Sequence, residues 1–464
     1  MFHAPLTRRE ILQSTSCGFG MLALAGLFGN SAKAASDNNN PLASKQPHFA
    51  PRAKRVIFMF MQGAPSHVDT FDYKPALERD DGKSPGVAAG AKGGNRKLMK
   101  SPWQFSPSGK SGLPISELLP NLAKQADDLC LLNSMHTDLP NHPQAAVQLH
   151  TGSFQFVRPS MGAWILYGLG TENAELPGFI TINPITRVGG AVNFGSSFLP
   201  APFQGTPIGG EGQSLANAAI PNIANRSLTR EQQRKQLDLV QSLNRDRLAD
   251  DKVNSELEGV IESYELAFRM QTAVPKIMDF KEESPSTLEN YGIGGGVTDG
   301  FGRQCLMARR FAEAGVRFIE VGLGGWDQHG NLRTALTKNC TSIDKPIAAL
   351  IADLKQRDML KDTLVVWGGE FGRTPHAQSA DGRDHNATGY SMFMAGGGVK
   401  GGIRYGETDE HGIRAETNKM HVHDLHATVL HLLGLDHEKL TYRYSGRDFR
   451  LTDVHGVVAK DILA

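Results

Sequence analysis

Short runs of apolar residues alternate with segments of helical periodicity, and this alternation restricts the possible folds more than any other feature. The apolar runs lie at residues 55–61, 129–132, 179–182, 316–321, 363–367 and 391–395. Strands that are apolar throughout are typical of parallel sheets, because helices cover both faces of such sheets. Helical patterns lie between them at 145–150, 161–170, 305–314 and 343–356, and after them at 425–433. The sequence therefore predicts an α/β fold with a doubly wound, mainly parallel sheet flanked by helices.

The first 34 residues carry the features of an export signal. Arg8 and Arg9 precede an apolar run at 18–28, and Ala32 and Ala34 supply the small side chains that a signal peptidase reads. The run is too short to span a membrane in the mature chain. We expect a twin-arginine signal peptide at 1–34 and a periplasmic or secreted protein, with an uncleaved apolar anchor as the alternative.

The rest of the chain divides into a linker and one large domain. Residues 35–54 are polar and contain proline, which is typical of a linker, and residues 55–464 form the predicted domain. A helical insertion is expected at about 205–300, within which 227–272 has the strongest helical pattern. This segment either packs on the domain as two helices broken near Asp250 or forms a surface for another exported protein.

Composition excludes some classes of partner and stabilising strategy. The formal net charge is +1, so no basic footprint for nucleic acid or a membrane surface is present. Beyond the predicted signal the cysteines are Cys130, Cys305 and Cys340, an odd number that cannot pair completely. A disulfide framework is therefore not expected.

Five polar clusters contain most of the residues that could perform chemistry, and several follow apolar runs directly. They lie at residues 66–69, 141–142, 326–331, 369–373 and 382–386. Imidazole and carboxylate groups are common ligands of divalent metals, and α/β folds place their sites at the carboxyl ends of strands. The clusters predict a divalent metal, Zn, Mn or Ca.

Two clusters contain closely spaced histidine and aspartate. Asp327 and His329 are two apart, so both side chains can share one face of an extended segment. Asp384 and His385 are adjacent in a predicted loop, where both can ligate or the aspartate can orient the histidine. An aspartate that caps a turn beside an ordinary histidine is the structural alternative in each case.

The other clusters offer candidates for catalysis as well as for metal binding. Glu370 follows a predicted strand, and Arg373 could grip an oxyanion bidentately, although a salt bridge between the two is an equal alternative. His67 and Asp69 follow the first strand. His142 precedes a predicted helix and could be a nucleophile, a base or a ligand.

These clusters resemble those of a known bacterial family. Residues 62–75, 326–331, 370–375 and 382–386 are similar to the secreted family called domain of unknown function 1501, over nearly all of the chain that follows the signal. That family in turn resembles the alkaline phosphatase–sulfatase superfamily. The resemblance implies an alkaline phosphatase-like fold and a metal-dependent hydrolase of phosphate or sulfate esters. Residues 142–152 and 423–434 are similar to the nucleophile segment and the C-terminal helix of sulfatases.

The resemblance also identifies departures from the superfamily pattern. Gln62 stands where a metal-binding aspartate is expected, His142 replaces the nucleophile, and Phe371 replaces a ligand histidine. Of the two metal positions that the superfamily implies, one keeps Asp327, His329 and His385. The other loses most of its ligands, unless nearby residues compensate.

The leading hypothesis is an exported metal-dependent hydrolase acting on a small-molecule or glycan ester. Its candidate metal ligands are Asp327, His329, His385, Asp384, Glu370 and Asp69, and its candidate catalytic residues are His142, Arg373 and His67. The arginine would stabilise the charge of the transition state, and His142 would act as a base or nucleophile. The alternative is a non-catalytic protein that binds oxyanions or sulfated glycans on the same fold.

Overall fold

The structure is a computed structural model, and it describes residues 40–84, 96–213, 215, 227–250 and 255–464. The predicted signal peptide at 1–34 and the first residues of the predicted linker lie outside this part of the chain. Within the described ranges, no helix combines the length and the apolar character needed to cross a membrane.

The chain order of the elements shows an α/β protein whose strands and helices alternate. The strands are β1 (Arg55–Met61), β2 (Phe105–Ser108), β3 (Leu113–Ser116), β4 (Leu129–His136), β5 (Phe179–Ile182), β6 (Thr206–Ile208), β7 (Phe318–Leu323), β8 (Thr363–Gly368), β9 (Gly372–Gln378), β10 (Gly382–Asn386), β11 (Tyr390–Ala395), β12 (Ile403–Tyr405), β13 (Glu407–Thr408), β14 (Ala415–Thr417), β15 (Met420–His421), β16 (Tyr442–Tyr444) and β17 (Arg447–Phe449). The α-helices are α1 (His67–Thr70), α2 (Pro75–Arg79), α3 (His142–Thr151), α4 (Met161–Leu169), α5 (Arg230–Asp250), α6 (Ser255–Met278), α7 (Pro285–Asn290), α8 (Asp299–Glu313), α9 (Leu332–Gln356) and α10 (Val422–Leu432).

Nine of these strands form the central sheet, in the order β12-β4-β11-β8-β1-β7-β5-β6, with β15 also paired to β4. All of the pairings are parallel except those of β11, which runs antiparallel to both β4 and β8. The central strands β1, β7 and β8 are buried along almost their whole length, so both faces of the sheet are covered. The predicted doubly wound, mainly parallel sheet with flanking helices is confirmed.

The register of the three central strands places their carboxyl ends side by side. Met61 at the end of β1 lies opposite Leu323 on β7, and Phe60 lies opposite Gly368 on β8. The turns that follow β1, β7 and β8 therefore meet at one edge of the sheet. Such an edge is where open α/β sheets bind ligands.

The described part of the predicted linker packs on the domain. Leu42 and Ala53 are buried, and the backbone N–H groups of Phe49 and Arg52 donate to carbonyls of Gly434 and Leu432 at the end of α10. Residues 40–54 therefore form a strap along the surface.

The helical insertion lies between β6 and β7 and contains α5, α6 and α7. Along α6, Leu266, Met270 and Val274 recur at every fourth residue and join the main hydrophobic core. On α5, Leu239 and Leu243 are exposed. The insertion is thus attached to the domain chiefly through α6.

Candidate metal centre

A close backbone contact joins the turn after β1 to the turns after β7 and β8. A Cβ atom at Gly63 would lie 2.4 Å from the backbone nitrogen of Asp327, so only glycine permits this approach. The Gly63 N–H donates to the carboxylate of Glu370, 3.0 Å from Oε1. Three strand ends that are far apart in the sequence thereby form one compact floor.

Four side chains converge above this floor. The ligand atoms of His142, Asp327, His329 and His385 all lie within 4.8 Å of one another. The Oδ1 atom of Asp327 is 2.8 Å from Nε2 of His329, 3.1 Å from Nε2 of His142 and 3.3 Å from Nε2 of His385. The Nε2 atoms of His329 and His385 are themselves 2.9 Å apart.

Different elements bring these four residues together. His142 is the first residue of α3, and Asn141 caps this helix by accepting a hydrogen bond from the backbone of Gln144. Asp327 and His329 lie in the turn between β7 and α9. His385 lies on β10, which pairs with β9 as an antiparallel ribbon outside the main sheet.

Each histidine directs its other ring nitrogen to a hydrogen-bond acceptor. Nδ1 of His142 lies 2.6 Å from Oε1 of Glu370, that of His329 lies 2.5 Å from Oε1 of Gln378, and that of His385 lies 2.8 Å from the carbonyl of Pro140. These contacts place a proton on each Nδ1, so each neutral ring presents a lone pair on Nε2. Metal-binding histidines are held in this way.

The convergence fits a metal ion better than it fits an arrangement of hydrogen bonds alone. The Nε2 atom of His142 is buried, and although it lies 3.1 Å from Asp327 it lacks the geometry of a hydrogen bond. Lone pairs that face one another need a positive charge between them. Ligand atoms about 2.0–2.1 Å from a tetrahedral zinc ion are about 3.3 Å apart, which is close to the separations found here.

Arg373 holds Asp327 in place. Its side chain is 1% exposed, and Nη2 donates to Oδ1 of Asp327 at 2.7 Å. The same guanidinium also donates to the carbonyls of Gly63, Ala64, Trp326 and Arg383. The predicted oxyanion-gripping role of Arg373 therefore needs correction, because a buried guanidinium surrounded by protein acceptors offers no surface to an ester.

The electrostatics of the cluster are dominated by its carboxylates. Burial lowers the pKa of His142, but hydrogen bonds to Asp327 and Glu370 outweigh burial and raise this pKa to about 9. Burial raises the pKa of Asp327, but hydrogen bonds from His142, His385 and Arg373 outweigh it and hold this pKa well below its usual range. The site therefore stabilises positive charge between these groups, which is what a cation requires.

Glu370 and Asp384, both predicted as ligands, lie one step behind the cluster. Glu370 has no exposed surface and uses its oxygens on Gly63 and His142. Asp384 pairs with Arg96 and accepts a hydrogen bond from the backbone of His385. Both carboxylates thus support ligand histidines, and Asp384 lies on strand β10 rather than in the predicted loop.

The structure does not bring His67 and Asp69 into the cluster. Asp69 is fully buried and forms a two-point ion pair with Arg383, with Oδ2 2.6 Å from Nε and Oδ1 3.0 Å from Nη2. His67 is buried, with Nε2 2.8 Å from the carbonyl of Gly412. Both residues lie beneath the site, so neither the predicted metal role of Asp69 nor the predicted catalytic role of His67 matches its surroundings.

Sequence reasoning missed three supporting residues. Gln378, Pro140 and Arg96 gave no signal because an amide, a backbone carbonyl and a surface arginine are ordinary in any sequence. The segment from Leu139 to His142 was noted only for its histidine, although its proline carbonyl also orients His385.

The family model described as "Protein of unknown function (DUF1501)" matches residues 53–463, which is nearly all of the described chain. The chain belongs to the DUF1501 family. The resemblance inferred from the polar clusters is thereby confirmed. A search of curated proteins gave no match to this DUF1501 protein.

Several solved structures are similar to this DUF1501 protein. The PsFucS1 sulfatase from Pseudoalteromonas sp. is 14% identical, with a TM-score of 0.40, over 89% of this chain and 72% of that one. The lipoteichoic acid synthase LtaP from Listeria monocytogenes is 10% identical, with a TM-score of 0.37, over 89% and 79%. Alkaline phosphatase from the Antarctic bacterium TAB5 is 13% identical, with a TM-score of 0.31, over 84% and 99%. Likeness at this level assigns no residue roles, which rest on the geometry described above.

Proposed function

We propose that this protein is an exported, metal-dependent hydrolase of phosphate or sulfate esters. The observation that carries the proposal is the convergence of three imidazole Nε2 atoms and one carboxylate oxygen at the carboxyl ends of the central strands. The side chain of Asp327 is 43% exposed, so the cluster opens to solvent where a substrate could arrive. The resemblance of the sequence motifs to the alkaline phosphatase–sulfatase superfamily supports the choice of ester.

The ion would be held by His142, Asp327, His329 and His385. Imidazole nitrogen is a common ligand of zinc, whereas calcium takes oxygen ligands. Three imidazoles therefore favour zinc over calcium, with manganese between them. When bound, such an ion supplies Lewis acidity that polarises an ester oxygen and makes water more nucleophilic.

The protein groups around the ion have distinct tasks. Glu370 holds the proton of His142 on Nδ1, so that Nε2 keeps its lone pair directed into the cluster. Arg373 fixes the carboxylate of Asp327. Because both nitrogens of His142 are committed, we propose that His142 is a ligand, in place of the nucleophile or base expected from the sequence.

The alternative function, binding of an oxyanion or sulfated glycan without hydrolysis, has one specific observation in its favour. Four protein ligands complete the tetrahedral shell of zinc, and sites of that kind are usually structural, whereas catalytic zinc keeps one position open. Hydrolysis therefore requires a fifth position at the ion on the exposed side of Asp327, or a metal of higher coordination number.

Metal reconstitution with an activity assay separates these functions. The purified chain, loaded with Zn²⁺ or Mn²⁺, is expected to bind one ion and to hydrolyse an aryl phosphate or an aryl sulfate. The variant His385→Ala should lose both properties, and the exposed His455→Ala should keep them. Bound metal without turnover of either ester, together with sulfate binding that His385→Ala removes, would establish the binding function in place of the hydrolase.

Export by the twin-arginine pathway is part of the proposal and rests on Arg8 and Arg9 with the apolar run that follows them. Fractionation of cells that express the full chain provides the test. The protein should appear in the periplasm, and a double substitution of both arginines by lysine should retain it in the cytoplasm. An unchanged distribution in that variant would refute this route.

A further inference from the structure

A second surface has a composition that neither the metal centre nor the fold requires. The hairpin of β16 and β17 carries alternating aromatic and arginine residues in the order Tyr442, Arg443, Tyr444, Arg447, Phe449. Directly opposite residues share a face in an antiparallel pair, and Tyr442 lies opposite Phe449 while Tyr444 lies opposite Arg447. One face of the hairpin is therefore aromatic and basic.

Residues from two other segments complete this face. The ring of Phe198 stacks on Tyr444, with centroids 5.0 Å apart and an interplanar angle of 15°. The Arg158 guanidinium lies 4.2 Å from the ring centroid of Phe449 and 5.2 Å from that of Phe156. We name this set of five residues, Phe156, Arg158, Phe198, Tyr444 and Phe449, the aromatic platform.

Two of the platform rings face solvent. Phe156 is 60% exposed and Tyr444 is 48% exposed, although both are large aromatic residues. An exposed ring whose face is free offers a flat apolar surface with a polarisable π-system. The C–H face of a sugar ring matches such a surface in shape and size.

Arg158 has a cation–π environment and no counter-ion. Within the described ranges its contacts are with the rings of Phe156 and Phe449, and no carboxylate lies within ion-pair distance. Asp453, which is near enough to influence Arg158, pairs with Arg447. A guanidinium fixed between two rings is preorganised to bind an oxyanion bidentately.

The platform is separate from the metal centre. Gly152, which ends α3, packs against the Leu451 carbonyl just beyond β17, so the hairpin lies at the opposite end of α3 from His142. A helix of this length spans about 15 Å. A small ester at the metal centre could not contact the platform at the same time.

From these contacts we propose that the aromatic platform is a binding surface for a sulfated saccharide chain, in which sugar rings stack on Tyr444 and Phe156 and a sulfate group pairs with Arg158. Planar rings beside one fixed cation match the alternation of sugar rings and anionic substituents in such a chain. The proposal does not depend on hydrolysis at the metal centre.

Calorimetric titration of the full chain with a heparin-derived hexasaccharide tests the proposal. The variants Arg158→Gln and Tyr444→Ala should each weaken binding about tenfold, the usual cost of a lost charged hydrogen bond or stacked ring. Arg443→Ala is the matched control, because Arg443 lies on the opposite face of the same strand and pairs with Asp448. This variant should bind as the wild type does.

Three further arms make the outcome decisive. The desulfated hexasaccharide should bind more weakly than the sulfated one, and His385→Ala should retain platform binding whether or not the metal centre hydrolyses esters. Equal weakening by Arg158→Gln and Arg443→Ala would show nonspecific charge attraction and overturn the proposal. So would absence of binding to the wild type, or binding to anionic phosphatidylglycerol vesicles without binding to the saccharide. Thermal unfolding of each variant verifies folding, and the exposed Tyr444→Ala remains informative if Arg158→Gln fails to fold.

Discussion

The Nδ1 atom of His142 lies 2.6 Å from Oε1 of Glu370, a carboxylate with no exposed surface. This contact extends the metal centre one residue into the core and connects it to the turn after β1, where Gly63 donates to the same carboxylate. The orientation of His142 thus depends on a residue that would not itself touch the ion.

The variant Glu370→Gln should weaken metal binding by about tenfold to a hundredfold, the range found when the partner of a ligand histidine is changed. The amide oxygen can still accept from His142, but its negative charge is lost. Competition with a chelator measures the affinity. Unchanged affinity in this variant would show that the carboxylate does not support the site.

Arg373→Lys should also weaken metal binding, because lysine cannot donate to the Asp327 carboxylate and to the carbonyls of Gly63 and Ala64 in the fixed fork that arginine provides. We expect a loss of about tenfold in metal affinity with a lower melting temperature. A rise in KM for the ester with metal affinity unchanged would instead restore the oxyanion-binding role expected from the sequence.

The buried ion pair of Asp69 and Arg383 makes a prediction about stability. Asp69→Asn leaves the guanidinium without its counter-charge in the core, which typically costs about 3–5 kcal/mol. Urea denaturation measures the free energy of unfolding. In the double variant with Arg383→Met, the loss should be smaller than the sum of the two single losses. Additive losses would mean that the two side chains act independently.

Two buried histidines predict loss of stability in acid. Burial lowers the pKa of His426 to about 3 and that of His421 to about 4. In the unfolded chain histidine titrates near pH 6.5, about the ordinary value, so below that pH the unfolded state binds more protons. The stabilisation is therefore complete above about pH 6.5 and is lost as the pH falls toward about 4 and 3.

His426→Gln provides the matched test of this acid sensitivity. The amide can replace the N–H that His426 donates to the carbonyl of Leu149 at 2.7 Å, and it does not titrate. Urea denaturation at about pH 7 and about pH 5 should show a smaller difference in unfolding free energy for this variant than for the wild type. Equal differences would assign the acid sensitivity to other groups.

The sequence was sufficient to predict the central sheet because its strands are buried on both faces and consist of unbroken apolar runs. β1 and β5 have the predicted limits, and β7 and β8 differ from theirs by two residues or fewer at either end. Helix limits were less accurate. The helix expected from 145 begins at His142, because Asn141 caps it and a proline at its second position is compatible with a first turn.

The supporting contacts of the site could not be predicted, since they depend on which charges become buried. Arg373 has the same composition signal whether it faces a substrate or, as here, the backbone of two turns. The partner of Asp69 is Arg383, separated from it by 314 residues. The ribbon of β9 and β10 contains few apolar residues in alternation, so its polar sequence is typical of a loop.

The hydrogen bond from His385 to the carbonyl of Pro140 has a consequence for mutational studies of the site. Any amino acid at position 140 supplies the same oxygen, so replacing this side chain would leave the orientation of His385 intact as long as the chain keeps its path. An alanine scan would therefore score position 140 as dispensable, and only an insertion or deletion between β4 and α3 would reveal its contribution.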